Sequence, residues 1–97
     1  LPATVTYINQ SAFAYCHSLE QVSVRSEHLK QIQGNTFAYC PSLMRLELYS
    51  IEPPQLIELN IFEGCTDNLA VYVPTESVER YKSDEAWQTY AEYIRAL

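Results

Sequence analysis

Residues 32–48, IQGNTFAYCPSLMRLEL, contain the pattern that decides the fold of this 97-residue chain. Within it, an Ile is followed five residues later by a Phe, and the Phe three residues later by a Cys. The pattern occurs three times, spaced by 24 and then 25 residues, at Ile8/Phe13/Cys16, Ile32/Phe37/Cys40 and Ile57/Phe62/Cys65. A unit this short cannot bury its own apolar side, so it must stack on its neighbours. The repeat therefore predicts a solenoid of stacked coils.

The end of each repeat alternates apolar residues with others, which is the pattern of a β-strand with one buried face. The apolar positions are Val22/Val24, Leu46/Leu48 and Val71/Val73. One such strand recurs in each coil, so we expect the strands to align as a parallel sheet. The prediction is an α/β solenoid, right-handed, with the sheet on its concave side and short helical turns elsewhere in each coil.

The Phe and Cys of each repeat are predicted to lie inside the coil. Residues that cap helices well stand two positions before each Phe and predict a short helical turn that directs the ring inward: Ser11, Asn35 and Asn60. Each Cys holds the same slot, so we expect three unpaired thiols in one inward column, where a thiol behaves as a small apolar group. Parallel Cβ vectors fit a disulfide poorly. The predicted structural residues are Phe13, Phe37, Phe62, Cys16, Cys40 and Cys65.

The pattern divides the first part of the chain into three repeats, at about residues 1–24, 25–50 and 51–74. The third repeat departs from the others, with Pro53-Pro54 and an extra residue that we place in the loop before Ile57. Two prolines in succession fix an extended approach and cannot donate to a strand ladder. We interpret this as the last coil, from which the chain leaves the stack.

Residues 75–97 do not follow the repeat and predict a C-terminal helical cap. Thr75 is expected to cap a first helix, and Ser83 or Asp84 a second. Trp87, Tyr90 and Ile94, at positions i, i+3 and i+7, would then share one helix face. We expect that face to cover the open end of the third coil, with Trp87 as its main structural residue.

Composition argues against several classes of function. The chain has 6 Lys and Arg against 12 Asp and Glu, and the basic residues do not cluster, so we expect no nucleic-acid partner. The longest apolar run, residues 69–73, is far too short to span a membrane. No Cys/His spacing typical of zinc and no nucleophile with a base is evident, so we predict no metal, no cofactor and no enzymatic activity. The chain begins without Met, and we expect it to be part of a longer protein.

The repeat resembles that of the BspA-like leucine-rich repeat proteins of bacterial surfaces. The shared motif is Ile-(four residues)-Phe-x-x-Cys-x-x-Leu-x-x-[Val/Leu]-x-[Val/Leu], over residues 1–73. The ending is similar to the C-terminal end of that family's arrays, with these elements: Pro53-Pro54, Val71-Tyr72-Val73-Pro74, Val78/Tyr81/Lys82 and Trp87. The chain departs from the family at Tyr15 and Tyr39, where Gly or Asn often precedes the Cys, whereas the third copy has Gly64. The resemblance implies a secreted or cell-surface protein, often lipid-anchored, whose repeats bind host proteins or other cells.

Candidate binding residues lie between the inward positions of the strands. They form three predicted rungs on the concave face: Gln21/Arg45/Ala70, Ser23/Glu47/Tyr72 and Arg25/Tyr49/Pro74. Tyr and Arg are enriched at binding hot spots, so we expect Arg45, Tyr49 and Tyr72 to contact a protein or glycan partner in adhesion. A structural reading stays open, because Tyr also favours strands.

In the alternative function, the segment terminates or spaces a longer array, or serves as an accessory module of a larger surface protein. Three rungs offer few contact residues compared with an ordinary stable interface. We also expect the uncapped N-terminal edge to permit self-association.

Overall fold

A computed structural model of the chain describes residues 7, 8, 13, 15–34, 36–57, 61–66 and 68–97. Seven strands are present in this described part: β1 (Tyr7–Ile8), β2 (Gln21–Val24), β3 (Gln31–Ile32), β4 (Arg45–Leu48), β5 (Gln55–Leu56), β6 (Ala70–Val73) and β7 (Ile94–Ala96). Between β6 and β7 lie a 3-10 helix (Thr75–Ser77), the helix α1 (Val78–Ser83) and a second 3-10 helix (Trp87–Tyr93). The chain thus has many short parallel strands and little helix.

The strands form two parallel sheets, one in the order β1-β3-β5 and one in the order β2-β4-β6-β7. In the larger sheet, Val22 pairs with Leu46 and Leu46 with Val71, at separations of 24 and 25 residues. Their side chains are buried, as are those of the neighbouring inward positions Val24 and Leu48. The alternation in the sequence therefore predicted these strands and their register correctly.

The interior between the sheets contains a column of stacked aromatic rings. Phe13 stacks on Phe37 with the ring centroids 5.5 Å apart, and Phe37 on Phe62 at 5.9 Å. The thiols of Cys40 and Cys65 donate to the backbone carbonyls of Phe13 and Phe37, each at 3.0 Å. The second and third repeats are thus each bonded to the repeat before by a cysteine that recurs in the sequence.

None of the three cysteines is joined in a disulfide, as predicted, but their burial differs. Cys40 is fully buried, whereas Cys16 and Cys65 are half-buried. The segments that contain the three Phe residues are turns where they are described, not short helices. The predicted capping residues Ser11, Asn35 and Asn60 lie outside the described residues.

One predicted alignment is wrong. Leu56, not Ile57, is the partner of Ile32 in the smaller sheet, and the neighbouring pair Gln31 and Gln55 joins side chains at 3.4 Å. Leu56 is 7% exposed and Ile57 is 47% exposed. The extra residue of the third repeat therefore lies between Leu56 and Phe62 and not in the loop before β5, because Ile32 and Leu56 are 24 residues apart whereas Phe37 and Phe62 are 25 apart.

The last residues of the chain also differ from expectation. Ile94 does not continue a helix with Trp87 and Tyr90, but begins the strand β7 and pairs with Val71. It adopts an extended backbone, φ −75° and ψ 131°, and its side chain is buried beside the other inward residues of the sheet. The segment expected to be wholly helical thus ends by adding a fourth strand to the larger sheet.

The helical part of this segment packs against the third repeat and the last residue of the second. Trp87 donates its indole N–H to the Pro54 carbonyl at 2.8 Å, and Tyr81 donates its hydroxyl to the Ser50 carbonyl at 2.7 Å. Tyr90 meets Phe62 edge to face at 5.1 Å. These contacts extend the aromatic column into the last part of the chain.

The capping predictions for this segment have mixed outcomes. Asp84 accepts the backbone N–H groups of Ala86 and Trp87 at 3.0 and 3.2 Å, just before the second 3-10 helix, but the N-cap residue of that helix is Ala86. Thr75 is instead the first residue of the first 3-10 helix, after Pro74. Its hydroxyl donates to the Leu97 carbonyl at 3.3 Å, which ties this turn to the end of the chain.

A candidate binding face on the four-stranded sheet

The outward side of the larger sheet holds most of the predicted binding residues, and we call it the sheet face. It comprises Gln21, Ser23, Arg25, Arg45, Glu47, Tyr49, Ala70, Tyr72 and Arg95. The register places Gln21, Arg45 and Ala70 in one row, as predicted. The row of Ser23, Glu47 and Tyr72 is also as predicted, and β7 extends it with Arg95.

Glu47 lies at the centre of a polar network on this face. Its carboxylate accepts the Ser23 hydroxyl at 2.7 Å and the Nε–H of Arg45 at 2.5 Å. The Tyr49 hydroxyl donates to the same carboxylate at 3.5 Å. Glu47 is only 8% exposed, so these donors supply the hydrogen bonds that water would otherwise provide.

The two tyrosines of the face each lie beneath an arginine. The guanidinium of Arg45 lies 3.8 Å from the ring centroid of Tyr72, and that of Arg25 lies 5.1 Å from the ring centroid of Tyr49. Cation–π contacts at such distances contribute about 0.5–2 kcal/mol, depending on exposure. Arg45 is therefore held on two sides, by a carboxylate and by an aromatic ring, and presents a fixed guanidinium to solvent.

Arg95 is a functional candidate that the sequence analysis missed. Its terminal nitrogen Nη1 donates to the backbone carbonyls of Glu92 and Ile94, at 2.7 and 3.0 Å. It adjoins Tyr72 in the sheet register. The apolar spacing that suggested a helix through Ile94 gave no sign that Arg95 would reach the sheet face.

The hydrogen bonds to Glu47 lower the pKa of its carboxyl below the ordinary value of 4.5. The hydroxyl of Ser23 contributes most, followed by the guanidinium of Arg45. A carboxyl with a lowered pKa in the folded state stabilises the fold at pH values above its unfolded pKa, and this contribution is lost as the pH falls through the folded pKa.

We therefore expect the difference in unfolding free energy between the wild type and Glu47→Gln to shrink as the pH falls from about 6 to about 3. Urea unfolding at a series of pH values measures it. Ser23→Ala is the matched variant, because it removes the largest cause of the pKa shift and should flatten part of the pH dependence. A difference that stays constant over this range would contradict the assigned role of Glu47.

A second exposed feature is a ladder of tyrosines on the turns that precede the cysteines. The rings of Tyr15 and Tyr39 stack with centroids 5.1 Å apart and an interplanar angle of 12°. Tyr15 is 66% exposed and Tyr39 39%, and the Tyr39 hydroxyl donates to Glu63 at 3.0 Å. This bond is the largest cause that raises the pKa of the Tyr39 phenol.

Both tyrosines adopt the left-handed backbone conformation, with φ of 62° and 58°, as does Gly64 in the third copy, with φ of 77°. This region costs a residue with a side chain on the order of 1–2 kcal/mol, whereas Gly adopts it freely. A Cβ at Gly64 would also run into the ring of Tyr39. Gly64 therefore fits the left-handed turn and also leaves room for the ring of Tyr39.

We expect Tyr39→Gly to be more stable than Tyr39→Ala by about 1 kcal/mol, since both lose the ring but only Gly escapes the backbone strain. Thermal or urea unfolding of the two variants measures this difference. Tyr49 serves as the control position, because it lies outside the left-handed region. The order should reverse there, with Ala the more stable. Equal stability of Tyr39→Gly and Tyr39→Ala would show that the turn carries no strain.

The comparison with known families agrees with the repeats and the paired strands. A family model described as the BspA type leucine rich repeat region (6 copies) matches residues 1–91. The chain belongs to the BspA-type leucine-rich repeat family. A search of curated proteins found no match.

Membership of the BspA-type family bears on what the sheet face does. Leucine-rich repeat regions are typically protein-interaction modules and are generally non-catalytic, and BspA-type proteins are typically extracellular or at the cell surface. In the part of the chain that the structure describes, no helix is long and apolar enough to cross a membrane. Among the same residues, no group of three or more His, Cys, Asp or Glu side chains is placed to hold a metal ion.

Two open clefts lie away from the sheet face, on either side of Lys30 and Pro53. The larger, of about 730 Å³, reaches Asp84 and Glu85. The smaller, of about 280 Å³, is lined by His28 and Ser50. The Ser50 hydroxyl donates to the Glu52 carbonyl at 2.7 Å, an arrangement that positions the serine structurally rather than as a nucleophile.

Proposed function

We propose that this chain is a non-catalytic binding module of a cell-surface protein and that its sheet face contacts a protein partner in adhesion. One observation carries the proposal. Before any partner binds, Arg45 and Tyr49 already donate to the carboxylate of Glu47, and the Arg45 guanidinium already lies over the ring of Tyr72. Fixed side chains lose less conformational entropy on binding, so their contacts give more net affinity.

The architecture proposed with this function is a right-handed solenoid of three repeats, residues 1–74, closed by residues 75–97. The hydrogen bonds of Trp87 to Pro54 in the third repeat and of Tyr81 to Ser50 at the end of the second support such a cap. So does β7, which covers the edge of β6. On the other side of the larger sheet, β2 pairs only with β4 within the described residues. That edge suits an additional repeat or a second copy of the chain.

The test uses a panel of purified extracellular host proteins and glycans, immobilised and probed with the chain by surface plasmon resonance. For any member that binds, Tyr49→Ser and Tyr72→Ser should each weaken affinity at least about tenfold, the loss expected of a hot-spot residue. Tyr15→Ser, an exposed tyrosine away from the face, is the control and should leave affinity unchanged. Melting temperatures of all three variants show whether each remains folded.

A second candidate function is that of a terminator of a longer repeat array, with the ligand bound elsewhere. The small size of the sheet face favours it, since the face has nine residues whereas a stable interface uses roughly 20–30 residues from each partner. The hydrogen bonds of Trp87 to Pro54 and of Tyr81 to Ser50 favour it as well. If a partner binds the full-length protein and neither tyrosine substitution on the sheet face changes its affinity, the terminator role is correct.

A further inference from the structure

The charges of this chain are divided unevenly between the sheet face and the rest of the molecule. The face carries three arginines, Arg25, Arg45 and Arg95, and one acid, Glu47. Its formal charge is therefore +2, whereas the chain as a whole carries −6. The remaining residues include three basic and eleven acidic side chains, a balance of −8. Half of the basic residues thus lie on one face of an acidic protein.

Arg45 has N–H donors left over for the carboxylate of a ligand. Arg45 already pairs with one, through its Nε–H and the carboxylate of Glu47. A guanidinium has five N–H donors in a planar fork that fits a carboxylate, so the pair with Glu47 uses only part of its capacity. The Arg45 side chain is 38% exposed. Its guanidinium carbon lies 3.8 Å from the ring centroid of Tyr72.

The spacing of Arg45 and Arg95 defines the length of a ligand. They lie two strands apart across the sheet, on β4 and β7, and their rows are two residues apart along it. With strands about 4.8 Å apart and about 3.3 Å per residue, their Cα atoms are separated by on the order of 12 Å. An extended peptide covers this distance in about four residues. Two acidic side chains in a short segment therefore match the two guanidinium groups.

The negative charge of the rest of the chain favours a short ligand over a long polyanion. The screening length is about 8 Å at physiological ionic strength, so a carboxylate at the face is affected mainly by the nearby arginines. A nucleic acid or a long sulfated glycan would extend beyond the face toward the rest of the chain, whose charge balance is −8. Electrostatic complementarity thus selects a segment about as long as the face is wide.

We infer that the sheet face binds a short acidic segment of a partner protein, with two or three Asp or Glu side chains that pair with Arg25, Arg45 and Arg95. This inference rests on the proposed use of the sheet face and adds the chemistry of its partner. Tyr49 and Tyr72 then supply apolar contact beneath the peptide. Binding of this kind weakens as salt is added, because the attraction is between exposed charges.

The probe for the test is a fluorescein-labelled peptide, Gly-Asp-Glu-Asp-Glu-Gly, titrated with the whole chain and followed by fluorescence anisotropy. The matched neutral peptide replaces each Asp with Asn and each Glu with Gln. We expect the acidic peptide to bind at least tenfold more tightly than the neutral one. Its affinity should fall at least fivefold when sodium chloride is raised from about 50 mM to about 300 mM.

Substitutions then locate the binding site. Arg25→Gln and Arg95→Gln should each reduce affinity for the acidic peptide at least threefold, and together at least tenfold. The control is Arg80→Gln, which removes the same charge from an exposed arginine of α1 that pairs with Glu52 away from the face. It should have no effect. An equal loss of affinity in Arg80→Gln would overturn the inference, because binding of the peptide would then depend only on the net charge of the chain.

Four further outcomes would overturn it. The first is equal affinity for the neutral and the acidic peptide, together with a loss of affinity in Tyr72→Ser. This result would contradict the acidic specificity but leave the proposed use of the face intact. The second is tighter binding of heparin than of the peptide, which would assign the face to polyanions. The third is dimerisation of the chain alone in sedimentation equilibrium that Arg25→Gln and Arg95→Gln abolish, which would make a second copy the occupant. If neither peptide binds, the inference fails, and the panel experiment decides the proposed function separately.

Discussion

Trp87→Ala is expected to lower the free energy of unfolding by about 4 kcal/mol. The indole is fully buried, contacts Tyr81 edge to face at 5.3 Å and donates to the Pro54 carbonyl. Its removal leaves a cavity between the second 3-10 helix and the third repeat, and it deprives a buried carbonyl of its donor. Small domains have total stabilities of about 5–15 kcal/mol, so much of the folded population should be lost on mild heating.

Urea unfolding followed by far-UV circular dichroism measures this effect, because Trp87 is the only tryptophan and its fluorescence disappears with the substitution. Trp87→Phe should lower the free energy of unfolding less, since it keeps an aromatic ring in the site. Some loss should remain, because the hydrogen bond to Pro54 is absent. The exposed neighbour Gln88 provides a control, and Gln88→Ala should change stability by less than about 0.5 kcal/mol. A loss below about 1 kcal/mol in Trp87→Ala would show that residues 75–97 are not an integral part of the fold.

Deletion of residues 94–97 is expected to destabilise the chain by at least about 3 kcal/mol and to cause it to self-associate. The deletion removes β7, the buried side chain of Ile94 and the hydrogen bond from the Leu97 N–H to the Val73 carbonyl at 2.8 Å. It leaves β6 as an open strand edge, which is a template for pairing with another chain.

Urea unfolding and light scattering after size-exclusion chromatography measure the two effects. Ile94→Ala in the full chain is the matched control, because it removes the same buried side chain but keeps the strand. It should lose stability yet remain monomeric. If the deleted chain also remained monomeric at high concentration, β7 would not be needed to protect the edge of β6.

The repeat spacing was enough to predict the larger sheet, because strands one period apart bury the same positions. Val22, Leu46 and Val71 could be matched on this ground alone. The smaller sheet was harder, since Leu56 and Ile57 are adjacent apolar residues and either one fits the pattern. The choice between them depends on the pairing of Gln55 with Gln31, which is a tertiary contact and has no local signature.

Ile94 shows a different limit of sequence analysis. Its spacing from Trp87 and Tyr90 fits a helix, but the chain becomes extended after Tyr93 because the edge of β6 offers a partner. Periodicity reports a preference within one segment, and here a distant strand overrides it. This error also concealed Arg95. The left-handed turns, by contrast, could be recognised from the sequence. Gly64 occupies in the third copy the position that Tyr15 and Tyr39 occupy in the first two.

The near-constant separation of paired residues has a consequence for how the chain folds. Rows of the larger sheet join residues 24, 25 and 23 positions apart. Closing loops of such similar length costs nearly the same entropy, so chain length does not decide which pair forms first. The β6–β7 pair has the additional aromatic packing of Trp87, and we expect it to form early and the strands to add in turn toward β2. Amide hydrogens should then exchange most slowly in β6 and progressively faster in β4 and β2.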